Sequence, residues 1–176
     1  TNVVTFSNTG TVTLAGTTVF TAVVTATAPS QVNIGGTVQS TDSTISIGDS
    51  NTPITIYGYD YYFPAIISAG SGDITLGGTV NAATTSGGVY TLDVNTTGTT
   101  TFSGIIGAST ALTTLTTNTG GTTAINTTGI TTTGNQTFGE NVTLGADVTL
   151  TSSSSGNISF AFTRVAIEPS LFPATS

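Results

Sequence analysis

Cysteine, histidine, lysine, methionine and tryptophan are all missing from this chain, and Arg164 is its single basic residue. Without cysteine there is neither a disulfide nor a thiolate nucleophile, and without histidine the commonest general base is gone too. One basic side chain against eight acidic ones gives a net charge of −7. Phosphate recognition needs several Lys or Arg, so nucleic acid is excluded as a partner, and an anionic membrane surface with it. Long apolar runs are absent as well. The uncharged stretch from Val94 to Gly139 is mostly Thr, Gly and Asn, and a membrane-spanning helix needs about 20 predominantly apolar residues. Charged residues make up only 5% of the chain, where about 25% is ordinary for a soluble domain. Helix formers are scarce, with Glu only at Glu140 and Glu168.

What the chain does contain points one way. About a quarter of its residues are Thr, a β-branched residue suited to a pleated, half-buried surface. Glycine appears 22 times and proline 5 times, which supplies corners without many kinks. The fold class is therefore all-β. With 176 residues and 17.5 kDa there is enough chain for one domain with a continuous core, so 1–176 is read as a single domain.

From Leu115 to Phe160 a short phrase recurs: Leu115-Thr116-Thr117, Thr122-Thr123-Ala124-Ile125, Gln136-Thr137-Phe138, Val142-Thr143-Leu144, Val148-Thr149-Leu150 and Ile158-Ser159-Phe160. Each alternates apolar or β-branched residues with Thr or Ser over three or four residues, with Gly or Asn in the gap between one phrase and the next, which is the pattern of very short strands at tight corners. Leu92 to Leu115, Asn95 to Asn118 and Phe102 to Ile125 are each 23 apart, and Val12 to Val32 is 20. Gly72-Asp73-Ile74-Thr75-Leu76 is echoed by Gly156-Asn157-Ile158-Ser159-Phe160 at an offset of 84, which four coils of roughly 21 residues would fill. These spacings predict a β-solenoid with loosely periodic coils of about 20–23 residues. Val142–Leu144 and Val148–Leu150 are expected to be two strands of one coil, joined by Gly145-Ala146-Asp147.

Two regions depart from the rhythm. Tyr57-Gly58-Tyr59-Asp60-Tyr61-Tyr62-Phe63-Pro64 puts four of the five tyrosines within six residues. It reads as an insertion loop over 57–64 whose rings cover one flank of the stack. Alternatively Tyr57, Tyr59, Tyr61, Tyr62 and Phe63 form a protein interface or a glycan site. Near the carboxyl end, Phe160, Phe162, Val165 and Ile167 alternate with small or charged residues before Pro169. The segment 160–176 is expected either to cap the last coil or to be the edge that another subunit joins. At the other end Val3, Val4 and Phe6 lie in a strand with no charge or proline near it. The chain starts at Thr1 rather than Met, which fits a processed polypeptide or a piece of a longer one.

The phrases Gly98-Thr99-Thr100-Thr101-Phe102-Ser103-Gly104, Thr110-Ala111-Leu112-Thr113-Thr114-Leu115 and Gly120-Gly121-Thr122-Thr123-Ala124-Ile125-Asn126 carry a resemblance. So do Thr133-Gly134-Asn135-Gln136-Thr137-Phe138 and Val142-Thr143-Leu144-Gly145-Ala146-Asp147. Over roughly residues 71–160 the chain resembles the repeat regions of filamentous haemagglutinin-like proteins and related bacterial surface passengers. That resemblance implies a right-handed parallel β-helix and an extracellular or cell-surface location. The amino-terminal secretion module of two-partner exoproteins is not recognisable in it, nor is a membrane-embedded barrel.

Chemistry is sparse. Asp42, Asp49, Asp60 and Asp73 are available for carboxylate catalysis, yet no spacing singles out a pair. No catalytic residue, cofactor site or metal site is assigned, and a carbohydrate-active β-helix enzyme is the weakest alternative. Tandem calcium-binding glycine–aspartate repeats and an EF-hand loop are both missing. Five sequons begin at Asn95, Asn126, Asn135, Asn141 and Asn157; such Asn residues are expected to stack as amide ladders at the corners rather than mark a glycoprotein. Thr99-Thr100-Thr101, Thr122-Thr123 and Thr131-Thr132-Thr133 offer a second alternative, an outward Thr array matching an ordered surface such as ice or a polysaccharide. Irregular coil length argues against such a lattice. The reading is therefore a non-enzymatic, structural role: an extracellular fibre subunit assembling into a homo-polymer, or an adhesin with a host or cell-surface partner and a glycan as a further option. Ile74, Leu76, Phe102, Ile125, Phe138, Leu144, Leu150 and Phe160 occupy the alternating apolar slots and are expected to share one core.

Overall fold

The computed structural model describes residues 2–58, 64–85 and 88–161, with the backbone of 165–167. The chain winds as a stack of parallel strands, three sides to a turn, and no helix occurs among the described residues. In the first turn, β1 (Val3–Thr5) forms one side, and the ten-residue β2 (Thr11–Phe20) bends around the other two. The second turn repeats this with β3 (Val23–Ala26) and β4 (Gln31–Ser40), every residue of β2 registering with one of β4. From the third turn the long strand is divided in two. β5 (Ile45–Ile47), β6 (Ile54–Ile56) and β7 (Ala65–Gly70) follow, then β8 (Ile74–Leu76), β9 (Val80–Ala82) and β10 (Thr91–Thr96). β6 pairs with the first half of β4, and β7 with its second half.

The fifth turn has β11 (Thr99–Phe102) on the first face, two isolated bridging residues, Ile106 and Leu112, pairing with the second, and β12 (Thr114–Thr117) on the third. Ile106 pairs with Val80 below and Ile130 above, so the second-face ladder stays continuous through this turn. β13 (Thr122–Ile125), β14 (Gly129–Thr132) and β15 (Gln136–Phe138) make the sixth turn; β16 (Asn141–Leu144), β17 (Thr149–Ser152) and β18 (Ile158–Phe160) make the seventh, and β19 (Val165–Ile167) begins another. All pairings between these strands are parallel.

Strand alternation explains why this sequence winds this way. Buried and half-buried residues alternate along nearly every strand, as in Ile45–Ile47, Ile54–Ile56 and Ile74–Leu76. The inward slots stack into one core from Val12 to Val142, so each turn covers the apolar row of the turn before it. The expected registers hold. Val12 faces Val32, Leu92 faces Leu115 and Phe102 faces Ile125. Val142–Leu144 and Leu150 do lie on consecutive sides of one turn, on β16 and β17.

Turn length varies more than the expected 20–23 residues. Along the first face, register partners are separated by 20 (Val3 to Val23), 21 (Val24 to Ile45), 29 (Ile45 to Ile74), 26 (Ile74 to Thr100), 23 (Thr99 to Thr122), 19 (Thr122 to Asn141) and 23 (Val142 to Val165). The two long turns take up their excess at one corner, between the second and third faces. There 57–64 and 83–90 replace the tight Gly35-Gly36 bend of β4. The echo at an offset of 84 is not a coil repeat, because Ile74 is on the first face and Ile158 on the third.

Five of the eight expected core side chains, Ile74, Leu76, Phe102, Ile125 and Phe138, are fully buried. Leu144 and Leu150 are half-buried against the core. Phe160 is a correction: it remains 39% exposed, because β18 is the last third-face strand and no further described turn covers it.

Candidate functional site

Three features of the stack have chemical character: its ends, one corner with aromatic insertions, and one corner with carboxylates. At the first end, β1 pairs only with β3 and β2 only with β4, so their outer N–H and C=O groups have no ladder partner among the described residues. Val3 is 58% exposed and Val19 is 55% exposed, while Val4 and Phe6 are half-buried. Phe6 meets Phe20 edge to face, with ring centroids 6.2 Å apart. Residues 2–28 contain no charged residue and no proline, two of the devices that blunt a strand edge.

At the other end, among the described residues, β17 and β18 each pair on one side only and β19 is the last strand of the first face. Ile158 and Phe160 are exposed, and the Phe160 ring lies nearly parallel to that of Phe138 at 5.1 Å. Val165 and Ile167 register with Val142 and Leu144. Phe162 lies outside the described residues.

The aromatic corner joins the second face to the third. Tyr57 follows β6; its N–H donates to the Ile34 carbonyl at 2.8 Å, and its side chain is 38% exposed. Tyr59, Tyr61, Tyr62 and Phe63, which share the segment, lie outside the described residues. One turn on, the same corner holds Tyr90, which is buried and donates its hydroxyl to the Thr85 carbonyl at 2.6 Å. Beside the insertion is a shallow depression of about 220 Å³, bordered by Gly16, Gly36, Thr37, Pro64 and Ile66. Its floor is glycine backbone, and a side chain at Gly36 would collide with the backbone of Gly16. No charged group among the described residues borders it.

The carboxylate corner joins the third face to the first. Asp42 Oδ1 accepts the Ser71 N–H at 2.9 Å, and Asp73 Oδ1 accepts the Thr99 N–H at 2.7 Å. Glu140 Oε2 accepts the Gly121 N–H at 3.0 Å, and its Oε1 accepts the Thr123 hydroxyl at 2.7 Å. Each carboxylate satisfies a polar group of a neighbouring turn where the chain leaves its ladder, as Asn118 Oδ1 does for the Thr96 N–H at 3.0 Å. The corner asparagines behave in the same way. Asn135 Oδ1 accepts the Asn157 N–H at 2.8 Å, so this amide bonds to neighbouring backbone instead of stacking on another amide, and within β9 Asn81 Oδ1 accepts the Ser109 N–H at 2.8 Å. Asp49 caps its own turn through the Asn51 N–H at 2.8 Å. Asp60, the remaining aspartate considered for carboxylate catalysis, lies outside the described residues.

Glu140 went unnoticed in the sequence, where its only signal is being the lone Glu before residue 168. Its side chain is buried, and that burial raises its pKa above the ordinary 4.5, while the Thr123 and Gly121 hydrogen bonds pull it back in part. Burial likewise raises Asp93 on the third face, offset in part by its hydrogen bond with Thr116. A raised carboxyl holds its proton longer in the folded state than in the unfolded state. Its favourable contribution is therefore complete below the unfolded pKa and is lost as pH rises through the folded one. Glu140→Gln keeps an acceptor for Gly121 and has no charge to bury. It is expected to be more stable than the parent at about pH 7, with the gap closing towards about pH 4. Denaturant midpoints across that range check this, and a gap that widens in acid would refute the assignment.

Further in, polar groups enter the core of the later turns. Gln136 is fully buried between Leu115 and Ile158 in the third-face ladder and donates to the Thr151 carbonyl at 2.8 Å. The expected Thr arrays are split by strand alternation: Thr100, Thr123 and Thr132 point inward and are buried, and Thr99, Thr101, Thr122 and Thr131 point outward. Among the described residues, no group of three or more His, Cys, Asp or Glu side chains is placed to hold a metal ion, and no helix is long and apolar enough to cross a membrane. No protein-family model, curated protein or solved structure matches this chain.

Proposed function

We propose that this β-solenoid is a non-enzymatic structural subunit of an extracellular or cell-surface fibre, in which copies join end to end. The observation that carries the reading is the first turn. Among the described residues its strands have no outer ladder partner on any face, Val3 and Val19 are exposed, and residues 2–20 carry no charge or proline to block pairing. The last described turn offers a complementary edge, with Ile158 and Phe160 exposed. Joining two different ends is a heterologous contact, and one that does not close on itself propagates as an open filament. The resemblance of the repeat phrases to bacterial surface passengers supports the location. An adhesin that meets its host or cell-surface partner through the corner of Tyr57 remains the second reading, supported by the exposure of that ring.

Sedimentation velocity over a concentration series, with electron microscopy of the same samples, tests the proposal. Association that grows with concentration and yields rods longer than one copy is expected. Val3→Lys with Val19→Lys places charge on the exposed edge without touching the core and should hold the chain monomeric. A sharp monomer at high concentration would leave the adhesin as the better reading.

A further inference from the structure

The turns differ in length, yet the first face does not register this, because the extra residues of the two longest turns fall between the strands of the second and third faces. On the outside of the first face one file runs Thr5, Thr25, Ser46, Thr75, Thr101, Ala124, Thr143, each the direct register partner of the next. Six of these seven positions carry a hydroxyl, Ala124 being the exception, and the next register partner, Ala166 on β19, carries none. A second file, Thr99, Thr122 and Asn141, runs beside it in the later turns. The rungs are spaced at about 4.8 Å, and the two files are about 6.6 Å apart along the strands. Irregular coil length, the sequence-based objection to a repeating surface, therefore does not apply to this face.

The chemistry of the face narrows what it can bind. Neither file contains an aromatic or basic side chain, so stacking on a soluble sugar, an aromatic-anchored protein contact and anion binding all lack their usual groups. The seven positions of the first file and the three of the second, each about 4.8 by 6.6 Å, cover about 300 Å², well below the roughly 800 Å² per partner of a stable protein interface. Thr side chains are β-branched and stiff, so holding them against a rigid surface costs little conformational entropy. The second face differs in this respect. There Gln31 Nε2 donates to Asn33 Oδ1 at 2.7 Å and to Thr55 Oγ1 at 2.8 Å, so its polar groups are engaged with one another.

We propose that the first face is a binding surface for an ordered water lattice, the surface of growing ice, with Thr75 and Thr101 at its centre. The inference does not rest on end-to-end assembly, since it uses a side of the stack and not its ends.

The test is partition into slowly growing ice, comparing the intact chain with two double variants. Thr75→Lys with Thr101→Lys disrupts the file; Ser68→Lys with Thr137→Lys adds the same charge to the outside of the third face. Circular dichroism confirms that all three share one fold, and sedimentation records the association state of each. Enrichment of the parent and the third-face variant in ice, with loss for the first-face variant, is the expected result. Exclusion of the parent from ice, or equal enrichment of both variants, overturns the proposal. So does a parent that stays out of ice but loses self-association when Thr75 and Thr101 are changed, which would assign the face to a second copy of the chain.

Discussion

Phe138→Ala is expected to destabilise the stack by about 3–5 kcal/mol, the range for emptying a buried aromatic site. The ring is fully buried on β15, facing Thr117 in one neighbouring turn and Phe160 in the other. A solenoid relaxes poorly around such a gap. Its strands are fixed by ladders on both sides, as the Gly139 N–H to Thr117 carbonyl bond of 3.1 Å and the Ala161 N–H to Phe138 carbonyl bond of 2.8 Å show here. Phe160→Ala removes the other half of the same stacked pair from a site already 39% exposed, and should cost no more than about 1.5 kcal/mol. Denaturant unfolding of both variants reads the contrast. A Phe138→Ala loss below about 1 kcal/mol would mean that the ring does not stand in the core.

The strand rhythm and much of the register were legible in the sequence, because side-chain alternation and stacking both write themselves along the chain. Val12 to Val32 and Leu92 to Leu115 are direct partners for that reason. Coil length was legible only where the corners stay tight. An insertion at a corner, as over 57–64, lengthens one turn without disturbing either flanking ladder, so periodicity alone cannot count across it. Runs of identical residues hide their own alternation: Thr99-Thr100-Thr101 looks like one polar array, yet Thr100 faces the core. The carboxylate corner was hidden for another reason. Asp42, Asp73 and Glu140 act on backbone groups 29, 26 and 19 residues away, and those partners are defined only once the turns are stacked. The ends were readable in outline, since apolar strands without charge or proline are visible in Val3–Phe6. Which side chains there stay exposed follows from stacking and not from composition.

Gly104→Ala is the second substitution expected to have a large effect, and it acts by addition rather than removal. Gly104 follows β11 at the corner between the first and second faces, beneath no side chain of its own and directly against the neighbouring turn. A Cβ there would stand 2.6 Å from the Thr79 nitrogen and would run into the carbonyl of Gly78. Both are backbone atoms, so no side-chain rotation relieves the clash. The backbone has little freedom to move, because the Ser103 N–H donates to the Leu76 carbonyl at 3.0 Å and the Val80 N–H to the Ile105 carbonyl at 2.9 Å, holding the two turns on either side of the contact. Overpacking of this kind is expected to cost about 3 kcal/mol, the upper end of the usual range. Gly129→Ala supplies the comparison. Its nearest neighbour is the Ile105 Cγ2 at 3.7 Å, an ordinary contact, so the added methyl should be neutral or stabilise by a few tenths of a kcal/mol through the unfolded chain. Thermal and denaturant unfolding of the pair measures the difference. Equal stability of the two variants would show that the turns do not approach each other as closely at Gly104 as the corner geometry requires.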